Sequence, residues 1–403
     1  MAADTVAEPL FAQVQQAPPD PILGLTEAFL ADIRHGKVNL GVGVYQNGDG
    51  KVPVLSSVRK AEALVYQTEE SKSYLPIDGL MAYNKQVQTL LFGTQSEVLA
   101  EGRAVTVQAL GGTGALKIGA DFLRNVCGST AVWISNPSWE NHRALFEAAG
   151  LTVNTYPYYN PETHGVNFDA LVATLGALEA NSIVLLHACC HNPTGADLTP
   201  AQWDTVISIC KENCLLPFLD FAYQGFATGI EEDAYAVRAF AASGQRFLIA
   251  NSFSKSFSLY RERVGALTVV AGSAGEAKIL LSQIKRVIRT NYSNPASHGA
   301  QVVSTILNSV ELRAEWEQEL TEMRVRIREM RARLLAALEV TGKDFDFIVN
   351  QAGMFSYSGL EKSVVHSLRS EYGIYIVDSG RICVAALNQK NVEYVALAIA
   401  ASI

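Results

Sequence analysis

Short, almost continuously apolar runs recur between residues 104 and 270, separated by longer stretches in which apolar positions have helical spacing. The seven runs are Ala104–Gln108, Ala131–Ser135, Leu151–Tyr156, Ser182–His187, Leu215–Asp220, Phe247–Asn251 and Val264–Val270. Continuous rather than alternating apolar character is typical of strands that are covered on both faces. Because strands that alternate with helices build parallel sheets, we predict an α/β fold with a mostly parallel, doubly wound sheet.

The apolar pattern changes after about residue 310. One apolar stripe with spacings of three and four predicts a single long helix. Its members are Leu312, Trp316, Leu320, Met323, Ile327, Met330, Leu334 and Leu338. Gly342 is predicted to end this helix. Two short strand candidates follow, Met354–Ser358 and Arg381–Val384, and they predict a smaller α+β unit, which the strand-like segment Val38–Tyr45 is expected to join.

The length of the chain favours more than one domain. Its 403 residues exceed the size at which a single hydrophobic core stops growing. We predict an N-terminal arm over residues 1–13, a first part of a small domain over 14–49, a large domain over 50–319 and a second part of the small domain over 320–403.

Composition and charge narrow the class of protein. Hydrophobic residues make up 49% and charged residues 18% of the chain, as in ordinary globular proteins. The net charge of −8 argues against a surface for nucleic acids or anionic membranes, since both favour clustered lysines and arginines. No basic residue precedes Arg34, which argues against a secretory or transit peptide. No apolar run reaches membrane-spanning length. The six cysteines show neither a CxxC pair nor the spacing of a zinc site. We therefore expect a cytoplasmic protein without a metal site.

Lys255 stands in a setting that favours covalent chemistry. It lies in the segment Ser-Phe-Ser-Lys-Ser-Phe over residues 252–257, directly after an apolar run and shortly before Arg261 and Arg263. A lysine amine can form a Schiff base with a cofactor aldehyde, while hydroxyl and guanidinium groups hold the phosphate of that cofactor. Taken alone, an exposed loop lysine is the more ordinary interpretation. The assignment therefore depends on the other motifs.

Two of these motifs follow predicted strands. The glycine-rich segment 111–114 precedes a helical run, so its free backbone N–H groups suit an anion, although a simple tight turn has the same composition. It lacks the Lys-Ser/Thr pair of a P-loop, and Lys117 stands where a dinucleotide fingerprint has its third glycine. Asp220 ends an apolar run, where a carboxylate either caps a helix or meets a buried cation such as a protonated pyridine. Tyr223 offers a phenol on the same turn.

Two Asn-Pro pairs also follow predicted strands. Asn192 can hydrogen-bond a ligand oxygen, and its bond to Pro193 is a candidate cis peptide. The pair at 136–137 precedes Trp139, which is either core filler or a flat surface that stacks on a cofactor ring. Ligands of doubly wound sheets bind beyond the carboxyl ends of the strands. We therefore expect these motifs to meet at that edge.

The order of the motifs is more specific than any one of them. GGTGAL, NPSWENH, HNPTG, DFAYQG, SFSKSFSLYRERVG and YSNPA, in this order and spacing, resemble the class I, fold-type I aminotransferases that depend on pyridoxal phosphate. The resemblance covers nearly the whole chain from residue 20, and within the family it is similar to the bacterial aspartate and aromatic-amino-acid aminotransferases. It implies a large domain with a mostly parallel sheet, a smaller α+β domain and pyridoxal 5'-phosphate as cofactor.

The resemblance also implies a role for each motif residue. Lys255 would bind the cofactor covalently and move a proton during catalysis, and Asp220 would keep the pyridine nitrogen protonated. Tyr223 and Asn192 would hydrogen-bond the phenolate oxygen of the cofactor, and Trp139 would stack on its ring. The phosphate-side positions are Gly112, Thr113, Ser252, Ser254, Arg263 and, from a second subunit, Tyr74. The positions near Asp220 are His142 and His187.

Two arginines are implied to select the substrates. Arg381 matches the residue that grips the α-carboxylate, and Arg289 matches the residue that crosses from the partner subunit to hold a side-chain carboxylate. Gly43 would let the backbone approach the substrate. A homodimer with shared active sites follows from this, with amino acids and 2-oxo acids as substrates. Apolar Val44 and Val52 predict that the site also accepts an aromatic ring.

The activity implied is transfer of the amino group between aspartate, tyrosine or phenylalanine and 2-oxoglutarate. Two alternatives stay open. A β-lyase or decarboxylase would use the same cofactor and break a different bond, whereas a second carboxylate clamp at Arg289 fits the transamination of dicarboxylates. A non-catalytic binding protein on the same fold would not need Lys255, Asp220 and Arg381 together.

Overall fold

Strands alternate with helices through most of the protein, as the apolar pattern predicts. The computed structural model describes residues 10–17, 20 and 22–403. In this part of the chain the strands are β1 (Val38–Asn39), β2 (Ala104–Leu110), β3 (Ala131–Asn136), β4 (Thr152–Pro157), β5 (Tyr159–Asn160), β6 (Gly165–Val166), β7 (Ile183–His187), β8 (Leu216–Phe221), β9 (Phe247–Ser252), β10 (Val264–Val270), β11 (Phe355–Tyr357), β12 (Ile374–Tyr375) and β13 (Arg381–Cys383).

Helices pack around these strands. The α-helices are α1 (Leu23–Ala31), α2 (Ser56–Thr68), α3 (Met81–Phe92), α4 (Glu97–Ala100), α5 (Gly111–Asn125), α6 (Glu140–Ala148), α7 (Phe168–Gly176), α8 (Pro200–Glu212), α9 (Tyr235–Ala242), α10 (Ala274–Asn291), α11 (His298–Asn308), α12 (Val310–Leu338), α13 (Phe347–Asn350), α14 (Lys362–Tyr372) and α15 (Val392–Ser402). Three 3-10 helices cover Leu10–Gln13, Glu339–Thr341 and Val384–Ala386.

Seven strands form the central sheet, in the order β2, β10, β9, β8, β7, β3, β4. Only β10 is antiparallel to its neighbours, and the other adjacent pairs are parallel. The prediction of a mostly parallel sheet is confirmed. Each of the seven predicted runs is one of these strands, with ends that differ by at most two residues.

Both faces of the central sheet are buried, which explains the continuous apolar runs. In β7, Val184 and Leu186 belong to one hydrophobic cluster, whereas Ile183 and Leu185 belong to the other. Successive side chains of a strand point to opposite faces, so one strand contributes residues to both hydrophobic clusters. The register pairs His187 of β7 with Asp220 of β8 at the carboxyl edge of the sheet.

The C-terminal region also follows the pattern. All eight residues of the predicted stripe are buried on α12. After the short 3-10 turn that follows α12, Gly342 has a φ of 65°, which suits a glycine at a helix end. Strands β11 and β13 pair antiparallel, and β1 pairs in parallel with β12, so the early strand joins the C-terminal unit as expected.

Residues 1–9 of the predicted arm, residues 18 and 19, and residue 21 at the start of the resemblance lie outside the described residues. The predicted boundary between residues 319 and 320 falls inside α12, and the division into domains stays a prediction. In the part of the chain that the structure describes, no helix combines the length and the apolar character needed to cross a bilayer.

Candidate active site

A cavity of about 610 Å³ opens at the carboxyl edge of the central sheet. Its size suits a small organic ligand. Twelve of the fourteen site residues predicted from the sequence line it: Gly43, Gly112, Thr113, Trp139, Asn192, Asp220, Tyr223, Ser252, Ser254, Lys255, Arg263 and Arg381. Segments far apart in the sequence therefore meet where a doubly wound sheet places its ligand.

Asp220 is a buried carboxylate near the end of β8. Its Oδ2 lies 2.8 Å from Nε2 of His142, and Nδ1 of His142 lies 2.9 Å from Oγ of Ser138. Burial raises the pKa of Asp220, but the hydrogen bond and charge of His142 outweigh burial and hold the pKa below its usual range. The structure thus keeps an anion at the bottom of the cavity.

His187 also lines the cavity, next to Asp220 in the register. Both of its ring nitrogens are buried and have no hydrogen-bond partner among the described residues. Burial, and then the charge of His142, lower the pKa of His187 to about 3. The ring is therefore neutral at physiological pH, and it supplies one donor and one acceptor to the base of the cavity.

Lys255 reaches the cavity from the turn after β9. Its Nζ lies 5.0 Å from the centre of the Tyr223 ring. Burial, reinforced by the charges of Arg263 and Arg381, lowers the pKa of Lys255 to about 8, although Asp220 opposes the shift. A substantial fraction of the amine is therefore neutral near physiological pH, which a nucleophilic or basic lysine requires.

The glycine-rich segment differs from the predicted loop. We expected residues 111–114 to precede a helix, but α5 begins at Gly111 itself, so the glycines form its first turn. Gly111 has a φ of 71°, which lets the chain pass from β2 into α5 without a connecting loop. A Cβ at this position would lie 2.5 Å from Nη2 of Arg263, and Arg263 Nη1 lies 3.4 Å from Oγ of Ser254. The helix start, the hydroxyl and the guanidinium together form a cradle for an anion.

Arg381 is a second cation at the cavity, and only 1% of it is exposed. Its Nη1 donates to Oδ1 of Asn192 at 3.0 Å, and its Nη2 donates to the carbonyl of Gly41 at 2.7 Å. Nε is buried and has no partner among the described residues. The guanidinium lies 4.3 Å from the centre of the Phe355 ring. The site therefore fixes the arginine in place and leaves it a free donor for a ligand carboxylate.

Several smaller predictions can be compared with the structure. Trp139 is half-buried, faces the cavity and packs edge-on against His142, with ring centres 5.2 Å apart. The Asn192–Pro193 bond is cis, as predicted, and so is Asn136–Pro137. Gly43 is needed because a Cβ there would lie 2.7 Å from the Phe355 ring.

Tyr74 and Arg289 do not line the cavity of their own chain. Tyr74 is 91% exposed, and the exposed Arg289 hydrogen-bonds Ser293 at the end of α10. Both were predicted to act from a partner subunit, and that prediction stays open. Val44 and Val52 do not line the cavity in a single chain either, and Val52 is 44% exposed.

The sequence did not point to two residues that face the cavity. Phe355 packs on Arg381 and lies 6.0 Å, ring centre to ring centre, from Tyr223. Glu140 begins α6 and has a carboxylate oxygen 3.9 Å from Nη1 of Arg381. Glu140 was visible within the motif NPSWENH, but an acidic residue in the first turn of a helix is usual and gave no reason to select it. Nothing in the local sequence marks Phe355.

These features define an enzyme active site for a small anionic ligand, because an amine of lowered pKa faces a buried carboxylate between two cationic anion sites. The profile of the family described as "Aminotransferase class I and II" matches residues 35–399. This chain therefore belongs to the class I and II aminotransferases.

Individual relatives agree with the family. The chain is 59% identical over 392 residues to an aspartate aminotransferase of Pseudomonas aeruginosa, covering 97% of this chain and 98% of the relative. It is 52% identical over 395 residues to the aromatic-amino-acid aminotransferase of Escherichia coli, covering 97% of this chain and all of the relative. A solved aromatic-amino-acid aminotransferase from Burkholderia pseudomallei, covalently bound to pyridoxal phosphate, has a TM-score of 0.95 and 59% identity, covering 98% of this chain and 99% of that one.

Proposed function

We propose that this protein is a pyridoxal-phosphate-dependent aminotransferase that moves the amino group between aspartate, tyrosine or phenylalanine and 2-oxoglutarate, giving a 2-oxo acid and glutamate. The observation that carries the proposal is the single cavity that Lys255, Asp220 and Arg381 line together. An amine, an anion and a carboxylate-binding cation are the three groups that this reaction needs from the protein.

The cavity fits pyridoxal phosphate group by group. The anion cradle around Gly111 and Arg263 suits the phosphate. Asp220 suits a protonated pyridine nitrogen, because a buried carboxylate with a lowered pKa stabilises a neighbouring cation. Asn192 uses its carbonyl oxygen on Arg381, so its amide nitrogen remains to donate to the phenolate oxygen together with the hydroxyl of Tyr223. Trp139 offers a ring face at the cavity wall.

The cofactor, when bound, supplies an electron-accepting ring that weakens the bonds at the α-carbon of the substrate. The protein supplies the proton transfer. With a pKa of about 8, Nζ of Lys255 can accept the α-proton of the substrate. The same amine can then donate a proton in the later step that completes the transfer of the amino group. Asp220 holds a proton on the ring nitrogen, and His142 fixes the orientation of Asp220 through Oδ2.

Arg381 is the proposed site for the α-carboxylate, which every substrate and product carries. Its buried Nε lacks a partner among the described residues, and a carboxylate would satisfy it. We further propose a homodimer in which Tyr74 and Arg289 of one subunit complete the site of the other. Both side chains are exposed and lie outside the cavity of their own chain, so they are available to contact a ligand in a partner subunit. All six cysteines are free thiols, which supports a reducing compartment such as the cytoplasm.

We also propose that the enzyme accepts both dicarboxylate and aromatic amino acids. Arg289 favours dicarboxylates, and its long, exposed side chain can move away when an aromatic ring enters. The test is kcat/KM for aspartate, tyrosine and phenylalanine with 2-oxoglutarate under one set of conditions. We expect all three within about three decades, or roughly 4 kcal/mol. An aromatic substrate further below aspartate would restrict the enzyme to dicarboxylates, and a colourless, inactive protein would contradict the proposed function itself.

A further inference from the structure

Glu140 places an unpaired carboxylate oxygen inside the cavity. It is the first residue of α6, directly after Trp139. Its side chain is 31% exposed, yet Oε2 is buried and has no hydrogen-bond partner among the described residues. A buried polar atom without a partner is uncommon, so this oxygen needs a physical explanation.

The charge of Glu140 is paired with Arg381 only loosely. Oε2 lies 3.9 Å from Nη1 of Arg381, which is beyond hydrogen-bond distance. Nη1 and Nη2 already donate to Asn192 and Gly41, and Nε is free. A ligand carboxylate can therefore take Nε without displacing Glu140. The bound ligand then shares the arginine with a second negative charge.

The position of Glu140 at the start of a helix is compatible with a carboxylate. Its place in the first turn of α6 is favourable, because the amino end of a helix attracts anions. The phenol of Tyr357 is also close enough to be affected, since burial and then the charge of Glu140 raise its pKa. A neutral phenol does not cancel the carboxylate. Within the described part of the chain, Arg381 is the cation that lies within 4 Å of the Glu140 carboxylate.

We propose that Glu140 is a specificity-determining residue that disfavours dicarboxylates relative to aromatic monocarboxylates. This inference rests on the proposed function, since it assumes that Arg381 binds the α-carboxylate. Every substrate places its α-carboxylate at Arg381, beside Glu140. Aspartate and glutamate carry a second carboxylate, which the short carbon chain keeps close to the first. The added repulsion acts in a partly buried site, where charges interact more strongly than in water.

The test uses the full-length holoenzyme and two unreactive acids, maleate as the dicarboxylate and 3-phenylpropanoate as the aromatic monocarboxylate. Their dissociation constants are measured by calorimetry for wild type, Glu140→Gln and Glu140→Asp. In Glu140→Gln both acids should bind more tightly, and maleate should gain about tenfold more than 3-phenylpropanoate. Glu140→Asp keeps the charge, so its ratio of the two constants should stay near that of wild type.

Glu147→Gln is the matched control. Glu147 lies on the same helix, is exposed and pairs with Arg143 at 3.1 Å, so its loss should leave both constants unchanged. An unchanged ratio in Glu140→Gln, weaker binding of maleate, or an equal shift in the Gln and Asp variants would overturn the inference while the proposed function stands. A wild-type holoenzyme that binds neither acid and transfers no amino group would overturn both.

Discussion

Lys255 illustrates how the surroundings of one residue prepare it for chemistry. The turn after β9 places its amine in the cavity against the Tyr223 ring, where burial lowers its pKa to about 8. Asp220 and Arg381, at the same cavity, are also held by contacts that do not involve a ligand. The site is thus largely preorganised, and the consequences can be measured on single residues.

The lowered pKa of Lys255 predicts a pH-dependent stability difference. The ordinary pKa is 10.5, so between about pH 8 and pH 10.5 the unfolded chain binds more protons than the folded one. The charged amine therefore destabilises the fold below pH 8, and this penalty disappears as the pH rises. In cofactor-free protein, Lys255→Met should be more stable than wild type at pH 7. This advantage in unfolding free energy should be larger at pH 7 than at pH 10 by on the order of 1–3 kcal/mol. Urea unfolding at both pH values measures it; a gain that is equal at both would refute a lowered pKa.

Arg381 should affect all substrates alike, whereas Arg289 should not. The α-carboxylate is common to aspartate and phenylalanine, so Arg381→Ala should lower kcat/KM for both by roughly two to four decades, as expected when a buried charge loses its partner. Arg289→Ala should lower it for aspartate and largely spare phenylalanine. Steady-state kinetics with both donors measures this. Equal losses of kcat/KM for the two donors in the Arg289 variant would contradict the roles assigned to the two arginines.

At the scale of the elements, backbone packing shapes the anion cradle. A Cβ at Gly265 of β10 would lie 2.4 Å from the carbonyl carbon of Gly111 and 2.7 Å from the carbonyl oxygen of Asn251. Neither atom belongs to a flexible side chain, so strand β10 can pass this point only with glycine. The close approach of β10 sets the position of the helix start that is proposed to bind the phosphate.

Gly265→Ala should therefore lower the unfolding free energy by on the order of 1–3 kcal/mol and weaken cofactor retention, because overpacking displaces the backbone. Gly275→Ala is the control. Gly275 is in α10, and a Cβ there would meet nothing closer than 3.9 Å, so stability should stay the same or rise slightly. Thermal unfolding and the cofactor content of both variants measure the effect; two variants that behave alike would contradict the packing argument.

Elements were predictable from the sequence where one physical signal dominated. The seven runs of the sheet and the stripe of α12 needed only their periodicity, since both are buried continuously. The antiparallel direction of β10 and the start of α5 at Gly111 were not visible, because they depend on pairing and on backbone angles. Phe355 reaches the site because β11 pairs with β13, which lets its ring pack on Arg381. This contact depends on the pairing of two strands, and no local pattern in the sequence reports it.

In the whole molecule, a single chain leaves two predicted site residues, Tyr74 and Arg289, outside its cavity. Tyr74 and Arg289 match motif positions, yet neither lines the cavity of its own chain. In contrast, Lys255 and Arg381 line one cavity together. The proposed dimer explains the difference, since it assigns the two groups of residues to different subunits of each active site.

Subunit mixing tests this arrangement. Arg289→Ala and Lys255→Ala protomers, each inactive toward aspartate, should regain activity after exchange, because each heterodimer contains one site with both residues intact. Mixing Lys255→Ala with Arg381→Ala should restore nothing, since these residues belong to one chain. Transamination of aspartate after confirmed exchange is the measurement. Recovery in the second mixture, or none in the first, would contradict a shared site.

Reduction with borohydride identifies the lysine that carries the cofactor. The reductant fixes the cofactor to the amine that holds it, and peptide mapping by mass spectrometry then identifies the residue. We expect a single modified peptide with pyridoxyl phosphate on Lys255, and none in Lys255→Ala. A label on another lysine, or a wild-type protein that takes up no label, would contradict this assignment.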